Sequence, residues 1–147
     1  MMSELSRETV PLSDGAVSCL AWKADGPLLH FAHANGFNAQ TYRGLLSPLS
    51  DRFHIVASDA RGHGRSDAPE QGYGPAEQAA DLAGVISALG LHRPAVLGHS
   101  MGAATTLALA GAYPDVPRAI LLEDPPAWWV AFRGSRDRTM RQNWRSR

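Results

Sequence analysis

Leu97-Gly98-His99-Ser100-Met101-Gly102 sets a serine between two glycines, directly after an apolar run and directly before a stretch rich in alanine and leucine. In that setting G-x-S-x-G describes a strand that ends, a chain that turns sharply and a helix that begins. Such a nucleophile elbow leaves the serine hydroxyl raised at the carboxyl end of the strand. Glycines fit on either side because a Cβ there would collide with the strand and the helix. Upstream, Ala95-Val96-Leu97 is a short apolar run opened by Pro94, and a buried strand tolerates proline only at its start. Downstream, Met101 to Ala112 carries no charge, which suits a helix buried on most of its faces. Tyr113-Pro114 ends it, since proline disfavours the helical region for the residue before it.

Further elements flank this core. Val17 to Trp22 reads as an early strand, Leu28 to Ala32 as a second, and Phe53 to Ala57 as a third. Tyr42, Leu45, Leu46 and Leu49 recur at helical spacing, in a helix that Pro48 keeps short. Leu82, Val85, Ile86 and Leu89 form a clean helical stripe, with Pro75 near its start and Gly90 just past its end. Ala119 to Leu122 closes the series as a last strand. Strands alternating with helices predict right-handed crossovers and an α/β fold with a mostly parallel sheet. Ligands on such sheets bind at the carboxyl ends of the strands, and Asn35, Asp59, Ser100 and Asp124 each follow a strand.

The chain has 147 residues, 44% of them hydrophobic and 19% charged, which fits one globular domain with a real core. Its single cysteine, Cys19, excludes an internal disulfide framework and reads as a small core residue. Met1 to Asp14 is polar and lacks the apolar centre of a signal peptide. No run reaches the ~18 apolar residues of a membrane span, so a cytoplasmic protein is expected. The net charge of zero is unevenly spread, with six arginines against Asp137 in residues 133–147. That run has no lysine and no repeated basic–aromatic motif, so nucleic acid and membrane are not expected as partners.

Three segments carry a family resemblance: His33-Ala34-Asn35-Gly36-Phe37, Asp59-Ala60-Arg61-Gly62-His63-Gly64-Arg65-Ser66-Asp67 and Gly98-His99-Ser100-Met101-Gly102. Leu121-Leu122-Glu123-Asp124-Pro125-Pro126 matches the next strand end. In this order and spacing the chain resembles the N-terminal half of an α/β-hydrolase-fold serine hydrolase of the esterase and C–C hydrolase type. The resemblance implies a small-molecule substrate and calls for no cofactor and no metal. Ser100 is then the nucleophile that forms an acyl-enzyme. The backbone N–H groups of Met101 and Asn35 form the oxyanion hole. A serine at the elbow sets the chain apart from the haloalkane dehalogenases and epoxide hydrolases of this fold, which use aspartate there. Phe37, Trp128 and Trp129 are candidate substrate contacts, with Phe132 beside them, and packing roles stand as the alternative for the tryptophans. His33 is expected to hydrogen-bond within its loop, His99 to be structural or pocket-lining, and Arg61 to pair with a carboxylate.

The chain also departs from the family pattern. The triad order of this fold is serine, acid, histidine, yet His30, His33, His54, His63, His92 and His99 all precede Ser100. Asp124 is a candidate acid with no histidine after it to orient. The expectation is therefore an incomplete form. Residues 1–126 make the N-terminal part of a core domain, and residues 127–147 begin a basic, loosely ordered lid. The sheet is truncated after the strand ending near Leu122, which leaves an apolar edge open to self-association. Two alternatives stand beside the hydrolase: a non-catalytic binding module, and an acyltransferase using the same acyl-enzyme chemistry.

Overall fold

The computed structural model describes residues 3–126. Trp128, Trp129, Phe132, the basic run and the expectation of loose order over 127–147 all lie outside the described residues. Six strands form one sheet: β1 (Leu5–Leu12), β2 (Gly15–Trp22), β3 (Leu28–Ala32), β4 (His54–Ser58), β5 (Ala95–His99) and β6 (Ala119–Glu123). Their spatial order is β1-β2-β4-β3-β5-β6. Three helices accompany them: α1 (Arg43–Leu46), α2 (Pro75–Ala88) and α3 (Met101–Ala112). Strands β4, β3, β5 and β6 run parallel, while β2 joins both β1 and β4 antiparallel. The sheet is thus mixed, with four parallel strands carrying the sequence motifs.

Strand β1 has no counterpart among the expected elements. It is an edge strand with one neighbour, and its Ser6, Arg7, Glu8 and Thr9 leave no apolar run to read. The hairpin that makes it is marked by Asp14-Gly15, with Gly15 at φ 120°, a conformation open to glycine. The stripe from Tyr42 to Leu49 becomes a 3₁₀ turn (Ala39–Tyr42), the single-turn α1 and a second 3₁₀ turn (Ser47–Leu49) that contains Pro48. Asn38 caps the first of these by accepting the Thr41 N–H at 3.1 Å.

Alternation along the central strands sends side chains to two cores. Leu20, Trp22, Leu29, Phe31, Ile55 and Ala57 pack with Ala39 and Leu46 on the α1 side. Val17, Cys19, Ala21, Val56 and Val96 pack with Leu82, Val85, Ile86 and Leu109 on the α2/α3 side. Cys19 is fully buried, and burial pushes its thiol up to about 11, so it stays protonated in the core. The chain leaves β3 toward β4 on one flank, then returns to place β5 on the other. That reversal opens a crevice at the carboxyl ends of β3 and β5, where open α/β sheets bind ligands. Among the described residues β6 pairs with β5 alone, and Leu121 and Leu122 are exposed there. No helix among them is long and apolar enough to cross a membrane.

Candidate active site

Ser100 joins β5 to α3 with φ 52° and ψ −109°. A non-glycine residue at positive φ stores strain of about 1–3 kcal/mol, and the surrounding backbone enforces it. A Cβ on Gly98 would collide with the Gly102 carbonyl, and a Cβ on Gly102 with the Ala32 carbonyl. The start of α3 therefore lies directly against the end of β3. Ala32 pairs with Gly98 across the parallel ladder, so the loop holding Asn35 and the elbow holding Ser100 leave the sheet side by side.

His33 sets the shape of the first loop. Its Nδ1 lies 2.8 Å from the Ala34 carbonyl, and its Nε2 accepts the Ala60 N–H at 2.9 Å. Both bonds are made only by the neutral ring with its proton on Nδ1. Burial, as the largest cause, holds the ring below its ordinary pKa. The Ala34 carbonyl also accepts the Phe37 N–H at 3.1 Å. Because that carbonyl shares a peptide plane with the Asn35 N–H, fixing one aims the other the opposite way. No hydrogen bond within the described residues uses the backbone N–H of Asn35 or of Met101. On the far side of the loop, His63 Nε2 accepts the Gly36 N–H at 3.3 Å and faces the Asn35 side chain at 3.3 Å.

The segment after β4 braces this arrangement. Asp59 is buried and accepts from Ala39 N at 2.8 Å, Arg65 N at 3.0 Å and Arg7 at 3.3 Å. Arg61 is also buried, and it forks onto Asp81 at 2.7 and 2.8 Å and reaches Asp14 at 2.8 Å. The bidentate geometry commits the guanidinium to α2 and to the β1–β2 turn, so Arg61 pairs with carboxylates as expected.

The last strand delivers Asp124. Ser100 N donates to the Glu123 carbonyl at 3.0 Å, so Asp124 follows one residue from a direct elbow contact. Its φ is 45°, and its carboxylate makes no hydrogen bond or ion pair within the described residues. Phe37 is 47% exposed and meets Tyr42 edge-on at 6.1 Å. A cavity of about 40 Å³ lies beneath the elbow, lined by His30, Gln78, Met101, Gly102 and Thr105 among others. Substrate pockets occupy ~300–1,000 Å³, so this one is far too small for that role. Two further contacts escaped the sequence reading: the Tyr42 hydroxyl at 2.7 Å from His99 Nδ1, and His63 on the Asn35 loop. Both join residues far apart in the chain, and no local pattern carries them.

Comparison with known proteins gives a consistent result. A model of the alpha/beta hydrolase fold matches residues 27–144. The chain is similar to the 2-(acetamidomethylene)succinate hydrolase of Mesorhizobium japonicum, at 41% identity over 102 residues, covering 69% of this chain and 37% of that protein. It is similar to an esterase of Mycobacterium tuberculosis at 34% identity, covering 75% of this chain and 37% of the esterase. The crystal structure of E-2-(acetamidomethylene)succinate hydrolase superposes with a TM-score of 0.74 at 36% identity, covering 80% of this chain and 43% of that one. The chain thus spans about two fifths of the length of the relatives it matches.

Proposed function

The chain belongs to the alpha/beta hydrolase fold family, and on that premise we propose that it carries the nucleophile half of a hydrolase for an ester or related carbonyl substrate. The observation that carries this reading is Ser100, held at φ 52° between β5 and α3, with the unengaged Met101 and Asn35 amides on either side of the crevice. Ser100 Oγ adds to the carbonyl carbon as its proton passes to solvent water, and the carbonyl π electrons move to the oxygen held by the two N–H groups. Collapse re-forms the C=O bond and expels the alkoxide, which takes a proton from solvent. Water then adds to the acyl-enzyme to release the carboxylic acid and restore the Ser100 hydroxyl. Asp124, beside the elbow at the end of β6, is the acid in this reading. Phe37 is an exposed apolar contact for the substrate, and Trp128 and Trp129 are further candidate contacts by residue type alone. The names of the two relatives support a hydrolytic reaction.

The proton acceptor limits the rate in this chain. His33 and His63 have both ring nitrogens engaged, His30 is fully buried, and His99 is tied at Nδ1 to Tyr42. His54 and His92 lie at the amino ends of β4 and β5, away from the elbow. Turnover of an aryl ester by the 147-residue chain is therefore slow, at the residual ~10³–10⁴ over water that an oxyanion hole and binding sustain without a base. The test is hydrolysis of p-nitrophenyl acetate by the chain and by Ser100→Ala. Loss of turnover in the variant is the expected result, and equal turnover in both rejects Ser100 as nucleophile. Among the described residues β6 pairs with β5 alone, and a second reading is that this edge pairs with another copy of the chain. Sedimentation velocity tests it, and a monomer at all concentrations excludes it.

A further inference from the structure

We infer that Tyr42 is a positioning residue that fixes the spacing between the loop amide of Asn35 and the elbow amide of Met101. The inference rests on the proposal that these two amides form the oxyanion hole. The Tyr42 hydroxyl accepts the Ala34 N–H at 3.1 Å and lies 2.7 Å from His99 Nδ1. The same hydroxyl thus meets the Ala34 amide on one side and the His99 imidazole, at Nδ1, on the other. One hydroxyl thereby joins the residue before Asn35 to the residue before Ser100. The Tyr42–His99 contact spans 57 positions of the chain, while the Tyr42–Ala34 bond spans only 8.

The ring itself is held. Tyr42 packs against Phe31 with centroids 4.5 Å apart and planes tilted by 52°, and it meets Phe37 and His99 in edge-on pairs, the latter at 5.8 Å. Phe31 is fully buried in the α1-side core. The hydroxyl therefore projects from a fixed platform, and the strut it forms moves only if the core moves. Together with His33 on the Ala34 carbonyl, it leaves the Ala34 residue bonded at both its N–H and its C=O. An oxyanion donor works only when it is aimed before charge develops, and this pair of bonds supplies that aim from the loop side while His99 supplies it from the elbow side.

Tyr42→Phe keeps the ring and removes both bonds. In Ser100-dependent hydrolysis of p-nitrophenyl acetate it lowers kcat about tenfold with little change in KM, the signature of lost transition-state alignment. A kcat within twofold of the parent overturns the inference. In a His99→Leu background the further loss from Tyr42→Phe shrinks, because the strut is already cut on one side, and fully additive losses overturn it as well. A geometric readout stands apart from turnover. In two-dimensional 1H–15N spectra Tyr42→Phe shifts the Asn35 and Met101 amides together and moves the His99 ring nitrogen resonances, whereas a packing role alone leaves them in place. Unmoved resonances reject the strut even where turnover falls. Ser100→Ala separates the two readings, since turnover surviving in that variant rejects the nucleophile while the spectra still decide on Tyr42.

Discussion

At the scale of single residues, Ser100 shows what the elbow costs. Its side chain occupies a backbone conformation that glycine adopts freely, and the Gly98 and Gly102 contacts leave it no room to relax. Ser100→Gly is therefore expected to stabilise the fold by about 1 kcal/mol, the relieved strain outweighing the entropy that glycine adds to the unfolded chain. Urea denaturation of the variant and the parent checks the sign, and a destabilised variant contradicts the strain argument. The same substitution removes the hydroxyl, so stability and turnover should move in opposite directions. Such an opposition, if measured, supports the proposal that Ser100 is kept for chemistry and not for folding.

At the scale of elements, the loops of the crevice hold their shape because buried polar groups tie them to strands and helices. Asp59 gathers donors from β1 (Arg7), the 3₁₀ turn (Ala39) and its own loop (Arg65). Asp59→Ala leaves these donors without an acceptor in a buried site and is expected to cost about 3 kcal/mol. Thermal or urea melts give the value, and a loss below about 1 kcal/mol shows that water replaces the carboxylate. Such ties also explain what the sequence reading reached. Helices α2 and α3 and strands β2 to β6 announce themselves through apolar periodicity, proline and glycine, all of them local signals. The sharp turn at Ser100 and the loop at Asn35 were legible for the same reason, since the elbow glycines and the His33-Ala34-Asn35-Gly36 turn encode backbone shape. Strand β1 was hidden because an edge strand buries too little to need an apolar pattern. Tyr42 was read as part of a helical stripe, and its hydroxyl bond to His99 appears only once β3 and β5 lie side by side.

At the scale of the whole molecule, burying imidazoles in both the core and the site couples folding to pH. His30 is fully buried on β3 with Nε2 2.6 Å from Ser58 Oγ, and burial pulls its pKa from 6.5 down to about 3. His33 is lowered in the same direction. Below pH 6.5 the unfolded chain takes up protons that the folded chain refuses. Stability therefore rises with pH between about 3 and 6.5 and is fully present above that window. Each such histidine contributes a slope on the order of 1 kcal/mol per pH unit where only the unfolded state is protonated. Urea denaturation at steps from pH 7 to pH 5 measures that slope above the range where most carboxylates titrate. His30→Gln removes one titrating imidazole, so its stability should fall less steeply toward pH 5 than that of the parent, whatever its absolute value at pH 7. Parallel slopes in the two proteins mean that His30 takes up its proton in the folded state, and burial then fails as the cause of its neutrality.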